Sequence, residues 1–208
     1  MSDNRPETSL RKTDLDIDPI RQFRKWQEEA ERDIGPDASA MMTLATADKD
    51  GNPAARVVLL RGLDERGFVF FTSYASRKAN ELRENPAAAL LFHWPQLARQ
   101  VRIEGRVEKI SPEESDAYFA GRPRGHQLEA HSSAQSRIIE NREVLEVQFK
   151  QAEQRFAGQE VPCPSDWGGY RLTPQVLEFW QQGEHRLHDR LRYRRVDGDS
   201  WAIERLAP

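Results

Sequence analysis

The run from Trp180 to Arg195, WQQGEHRLHDRLRYRR, sets a tryptophan ahead of a dense series of arginines and histidines. If its Leu and Tyr residues are read as a strand, alternate side chains share a face, so Arg186, His188 and Arg190 project together while Leu187, Asp189 and Leu191 point the other way. Two guanidinium forks would then flank an imidazole, which suits a planar or phosphorylated anion and offers a group able to donate, accept or carry a proton near neutral pH. A solvated basic strand that keeps other chains off a sheet edge has the same composition. The segment alone leaves both readings open.

Three further constellations carry potential chemistry. Arg56-Val57-Val58-Leu59-Leu60-Arg61 is an apolar strand bracketed by arginines, which favour either an anionic partner or solvent at the strand ends. Phe71-Thr72 followed by Ser76-Arg77-Lys78 combines a hydroxyl, two cations and helix-start amides, the makings of a phosphate cradle. Tyr118, Arg122, Pro123 and Arg124, followed by Gln135-Ser136, could meet a second anion or form an ordinary cationic helix end. His126 and His131 have no cysteine or helical ligand motif beside them, which argues against a metal site. There is no Gly-x-Gly-x-x-Gly, Walker loop or nucleophile elbow.

Positioning these residues falls to a chain whose signals are mostly β. Asp18-Pro19 opens a helix with apolar spacing at Ile20, Phe23 and Trp26, running to about Asp33. Strands are predicted at 41–47, 55–61, 68–73, 87–93 and 99–110, with turns at Asp50-Gly51 and 65–67 and a short helix over 76–84. Ser111-Pro112-Glu113-Glu114 starts a helix ending near Gly121. Ile138, Leu145, Phe149, Ala152 and Phe156 predict the core stripe of a long helix that stops at Gly158. Closing strands are expected at 170–172, 176–181, 187–195 and 201–206. Antiparallel strands with inserted helices indicate an α+β, barrel-like fold. Residues 1–17 read as a flexible segment ahead of one domain, 18–208.

The chain has 208 residues, enough for one well-packed domain. With 31 Lys and Arg against 34 Asp and Glu, its net charge of −3 argues against a general nucleic-acid binder. Cys163 is the only cysteine, so no internal disulfide can form, and no window resembles a signal peptide or membrane span. A soluble, cytoplasmic protein is expected.

Taken together, RVVLLR (56–61), FFTS with SRK (70–78), RQVRIEG (99–105), YFAGRPRGHQ (118–127), QS (135–136), WGGYRL (167–172), EFWQ (178–181), RLHDR (186–190) and RLAP (205–208) resemble the pyridoxine 5′-phosphate oxidase family. The resemblance implies a split antiparallel β-barrel homodimer with FMN at the subunit interface. It further implies oxidation of pyridoxine or pyridoxamine 5′-phosphate to pyridoxal 5′-phosphate by O2, with release of H2O2. Arg56, Arg61, Thr72, Arg77, Lys78, Gln135 and Ser136 would then hold FMN, chiefly its phosphate and ribityl chain. Residues 56–61, with Val57, Val58, Leu59 and Leu60, would run beside the flavin ring near Phe71, and Gln100, Trp180 and Arg190 would complete that site.

By the same resemblance Arg61, Tyr118, Arg122 and His126 would meet the substrate phosphate, and Arg186, Leu187 and His188 would lie over the pyridine ring, Arg186 and His188 as catalytic groups. The sequence departs from the family pattern at Arg61, where Lys is common, and at His126, where Ser is frequent. Glu129, His131 and Gln182 replace frequent Gly, Trp and Gly, and an N-terminal Arg-x-x-Tyr element is lacking. Alternatives within reach of the same motifs are a flavin oxidase of another aromatic substrate, such as a dihydrophenazine, and a non-catalytic flavin or vitamer binder.

Overall fold

The structure, a computed structural model, describes residues 9–198 and 200–208. Helix α1 (Pro19–Ile34) starts where the Asp18 side chain accepts the Ile20 and Arg21 amides and Pro19 presets the first turn. It stops at Gly35, whose φ of 85° leaves the helical region. Its apolar face, Ile20, Phe23, Trp26 and Ala30, is buried. A short helix α2 (Pro36–Ser39) leads into the sheet.

The strands are β1 (Met41–Ala47), β2 (Pro53–Leu59), β3 (Gly62–Asp64), β4 (Gly67–Ser73), β5 (Ala87–Trp94), β6 (Arg99–Lys109), β7 (Trp167–Gln181), β8 (Asp189–Arg195) and β9 (Trp201–Arg205). All pair antiparallel in the order β2-β1-β5-β6-β7-β4-β3. At β7 the sheet forks: its first half pairs with β4 and its second with β8, which in turn pairs with β9. The sheet curls without a continuous closing ladder, and a bond from Arg61 N–H to Val69 O at 2.8 Å ties the segment between β2 and β3 to β4. Phe23 packs edge-on against Phe68 and Phe92 inside the curl, with Trp94, Phe179 and Tyr193 fully buried around them. Each such side chain contributes roughly 1.5–3 kcal/mol by leaving water.

Helix α3 (Arg77–Glu84) follows β4, and α4 (Pro112–Ala120), α5 (Arg124–Ser132) and α6 (Arg142–Arg155) fill the excursion between β6 and β7. These three helices gather a second core of Phe119, Leu128, Ala152, Phe156, Val161 and Trp167. A reciprocal cap fixes the start of α4, Ser111 Oγ accepting from Glu114 N–H and Glu114 Oε2 from Ser111 N–H.

Three expectations need correction, and one element was not foreseen. Strands 170–172 and 176–181 are one strand, because a bulge at Glu104/Gly105 lets β7 continue through Pro174. The strand expected from Leu187 begins at Asp189. Residues Glu184–Arg186 form a 3-10 turn in which His185 and Arg186 have φ of 52° and 65°, so the alternation drawn through Arg186 and Leu187 does not hold. Residues 124–132 are helical although no apolar period marks them. Ile138 lies ahead of α6 and is fully exposed, and Leu145 is also exposed, so the expected core stripe reduces to Phe149, Ala152 and Phe156. Of the segment expected to be flexible, residues 1–8 lie outside the described residues. Leu10 is buried, its amide donating to Asp189 Oδ2 at 2.9 Å.

Candidate active site

A cavity of about 1020 Å³ opens between β2, the end of β4, α3 and the α4–α5 corner. Arg56, Val57, Val58 and Leu59 of the edge strand β2, with Arg61 just after it, form one wall; as successive residues, they present both faces of the strand and its unpaired edge to the cavity. Leu60 turns inward, buried, with its amide on Ala40 O.

A polar cradle occupies one side of this cavity. Lys78 Nζ donates to Thr72 Oγ1 at 3.0 Å and to Gln135 Oε1 at 2.7 Å, and Thr72 Oγ1 donates to the same Gln135 oxygen at 3.0 Å. Burial, reinforced by the nearby Arg56 guanidinium, lowers the Lys78 ammonium to about 8, with Glu81 opposing the shift. Arg56 donates through Nη1 to Thr46 Oγ1 at 2.5 Å and through Nη2 to Glu81 Oε2 at 3.1 Å. Glu81, 5% exposed, also receives Arg77 Nε at 2.7 Å and the Thr46 hydroxyl. Burial pushes its carboxyl upward, but the hydrogen bonds from Thr46, Arg77 and Arg56 outweigh that and hold it below the usual range. Ser76, expected in the cradle, is buried and caps α3 by accepting the Ala79 amide. Arg77 does not line the cavity; it faces Glu81.

The other side is aromatic. Phe71 and Tyr118 stack at 3.7 Å between centroids and Phe71 stacks on Trp167 at 5.4 Å. Arg122 lies over Trp167 at 4.6 Å and holds its Nη1 buried with no hydrogen-bond partner. Burial lowers its pKa, with Glu129 among the groups opposing the shift. His126 and Glu129, both on α5, complete this wall. Arg124, next in sequence, instead donates to Phe156 O and Gln159 O and caps the end of α6. His131 bonds to Pro162 O at 2.7 Å among Phe119 and Phe156. Among the described residues no cluster of His, Cys, Asp and Glu could hold a metal ion.

A second group forms elsewhere on the sheet. Gln100, Trp180 and Arg190 lie in register across β6, β7 and β8. The His188 ring sits 4.7 Å from Trp180, and its Nδ1 accepts from the Gly183 amide at 3.2 Å. Arg190 donates to both oxygens of buried Glu178 at 2.7 and 3.2 Å, which raises its pKa, and to Ala207 O. Arg186 and Leu187 are exposed on the 3-10 turn. None of Gln100, Trp180, Arg186, Leu187, His188 and Arg190 lines the cavity of the same chain, nor does Ser136, which follows Gln135 with φ of 71°. Sequence reasoning missed Thr46, Glu81 and Glu178, the partners that orient Arg56, Arg77 and Arg190. Only the four-residue spacing of Arg77 and Glu81 signalled one of them.

Residues 28–156 match the family model described as pyridoxamine 5′-phosphate oxidase, and residues 167–208 match the pyridoxine 5′-phosphate oxidase C-terminal dimerisation region. The chain belongs to the pyridoxamine 5′-phosphate oxidase family. Curated relatives named pyridoxine/pyridoxamine 5′-phosphate oxidase include one from Cupriavidus necator, 55% identical over 96% of this chain and 93% of its own length. Another, from Rubrobacter xylanophilus, is 56% identical over 93% and 88%. Among solved structures, PhzG from Burkholderia lata 383 in complex with tetrahydrophenazine-1-carboxylic acid superposes with a TM-score of 0.89 at 32% identity, covering 97% of this chain and 98% of that one. An FMN-binding protein from Nostoc punctiforme, at 20% identity and TM-score 0.75 over 93% of this chain and all of its own, shares the fold. The expected α+β split barrel of this oxidase family is therefore the fold observed, its sheet curled but not closed.

Proposed function

We propose that the chain is an FMN-dependent oxidase that converts pyridoxine and pyridoxamine 5′-phosphates to pyridoxal 5′-phosphate with O2, releasing H2O2, and that it works in the cytoplasm as a homodimer with FMN at the interface. The observation that carries this reading is a pair of separate anion-binding features in one cavity: the Lys78–Thr72–Gln135 cradle and the unpartnered Arg122 nitrogen beside Tyr118. A phosphorylated cofactor and a phosphorylated substrate require two such features. The curated relatives' names support the phosphorylated substrate.

The donor set fits FMN. Lys78, Thr72 and Gln135, with Arg56 and Arg61, would hold its phosphate and ribityl chain, and Val57, Val58 and Leu59 with Phe71 would border its ring. Arg77 and Ser136, next in sequence to Lys78 and Gln135 but outside the cavity lining, would have to turn toward the phosphate to join them, and Leu60, buried, would contribute backbone only. Bound FMN supplies the two-electron acceptor and the reaction with O2. Arg122, Tyr118, Arg61 and His126 would fix the substrate phosphate, which orients the substrate by charge-assisted bonds that a neutral vitamer cannot make. Gln100, Trp180, Arg186, Leu187, His188 and Arg190 would come from the partner subunit, in keeping with a family dimerisation region over 167–208. Among the described residues no helix is long and apolar enough to cross a membrane.

Hydrogen peroxide measured on adding each phosphorylated vitamer to FMN-loaded protein tests the proposal, and its absence with both vitamers overturns it. The likeness to PhzG favours one second reading, a flavin oxidase of a reduced phenazine carboxylate. Turnover of such a substrate, with none of the B6 phosphates, would establish it.

A further inference from the structure

The turn that carries Arg186 and His188 is closed by backbone geometry around Gly183. Gln182 N–H is fixed on Ala98 O at 2.9 Å, Leu187 N–H closes on Glu184 O at 2.8 Å, and Gln181 stands opposite Asp189 at the base. A Cβ on Gly183 would lie 2.0 Å from Leu187 O, so only glycine lets the two arms approach this closely. The approach brings Gly183 N–H to His188 Nδ1 at 3.2 Å, while the Trp180 ring lies 4.7 Å from the imidazole centroid.

A backbone amide can only donate, so the ring nitrogen facing it must present a lone pair. In a neutral imidazole the proton then resides on the other nitrogen. We infer that the Gly183 amide fixes neutral His188 as the Nε2–H tautomer, making His188 a hydrogen-bond donor toward the bound ligand. This rests on the proposed function only in placing His188 at the substrate; the tautomer follows from the turn. Neutral His188 has no free lone pair at Nε2 with which to take a proton from the substrate alcohol or amine. Its partner on the ligand is an acceptor, such as an oxygen carried on the pyridine ring. Gly183 is thus a positioning residue, acting on the ligand through His188.

Nitrogen-15 NMR of the FMN-loaded protein, labelled in its five histidines, reads this directly at a pH where His188 is neutral. The His188 pair of signals is identified by its loss in His188→Asn. The expected result is a pyridine-type Nδ1 signal and a pyrrole-type Nε2 signal. An Nδ1–H pattern, or signals averaged between the two tautomers, would overturn the inference. Because the spectrum needs no turnover, failure of the oxidase assay beside an Nε2–H pattern would count against the proposed function alone.

Discussion

At Arg122 a guanidinium nitrogen is buried against Trp167 and Phe119 without a hydrogen-bond partner, and burial works against its charge. An anion on that nitrogen would relieve both costs, and a charge-assisted bond is worth about 1.5–3 kcal/mol. Arg122→Met keeps much of the stacking volume and removes the charge. It should raise KM for pyridoxine 5′-phosphate about 10- to 100-fold, while FMN affinity, measured by quenching of flavin fluorescence, stays near wild type. Lys78 gives a pH signature. Its ammonium titrates at about 8 in the free protein, and a bound phosphate would raise that value. Binding therefore takes up a proton only above pH 8, so FMN affinity should be flat below that pH and fall above it, by up to about tenfold per unit. Lys78→Met should bind FMN more weakly and lose the dependence; an unchanged profile in the variant would remove Lys78 from the cradle.

At the scale of elements, the cavity wall was largely legible in the sequence. The cluster Arg56 to Arg61, Thr72, Lys78, Tyr118, Arg122 and Gln135 converges because strand alternation and helix starts are local properties that sequence reports well. The turn at 183–188 was not legible, since nothing in a basic, leucine-bearing run announces left-handed residues at His185 and Arg186. Helix α5 escaped notice for a related reason: its one fully buried residue, Leu128, leaves no period to read. Pro174 suggested a break in β7, but the strand runs through it by leaving the next residue, Gln175, without a partner on β6, a bulge that sequence does not announce. The functional turn depends on close approach at Gly183, so Gly183→Ala should lower kcat/KM at least about tenfold by displacing Arg186 and His188. Residues 184–187 at the tip of the turn are exposed and belong to neither core cluster, so the displacement can be taken up there and the thermal midpoint should fall far less than the activity. Wild-type turnover in this variant would mean that the turn's geometry does not matter to the reaction.

For the whole molecule, the cavity and the Trp180–His188 group occupy different regions of one chain, and each leaves apolar side chains in solvent: Val57 is 63% exposed beside the first and Leu187 70% beside the second. If two chains pack so that each cavity receives the partner's β8 turn, a variant damaged only in the cavity and one damaged only in the turn should complement each other. Arg122→Ala and His188→Asn make such a pair. After denaturation together in equal amounts and refolding with FMN, random pairing gives about half mixed dimers, each with one site free of both substitutions, so about a quarter of the wild-type rate should return. Each variant refolded alone should remain near its own low rate. If both groups served a site within one chain, every site in the mixture would carry one lesion and no activity would return, so the recovered rate separates a shared site from a self-contained one.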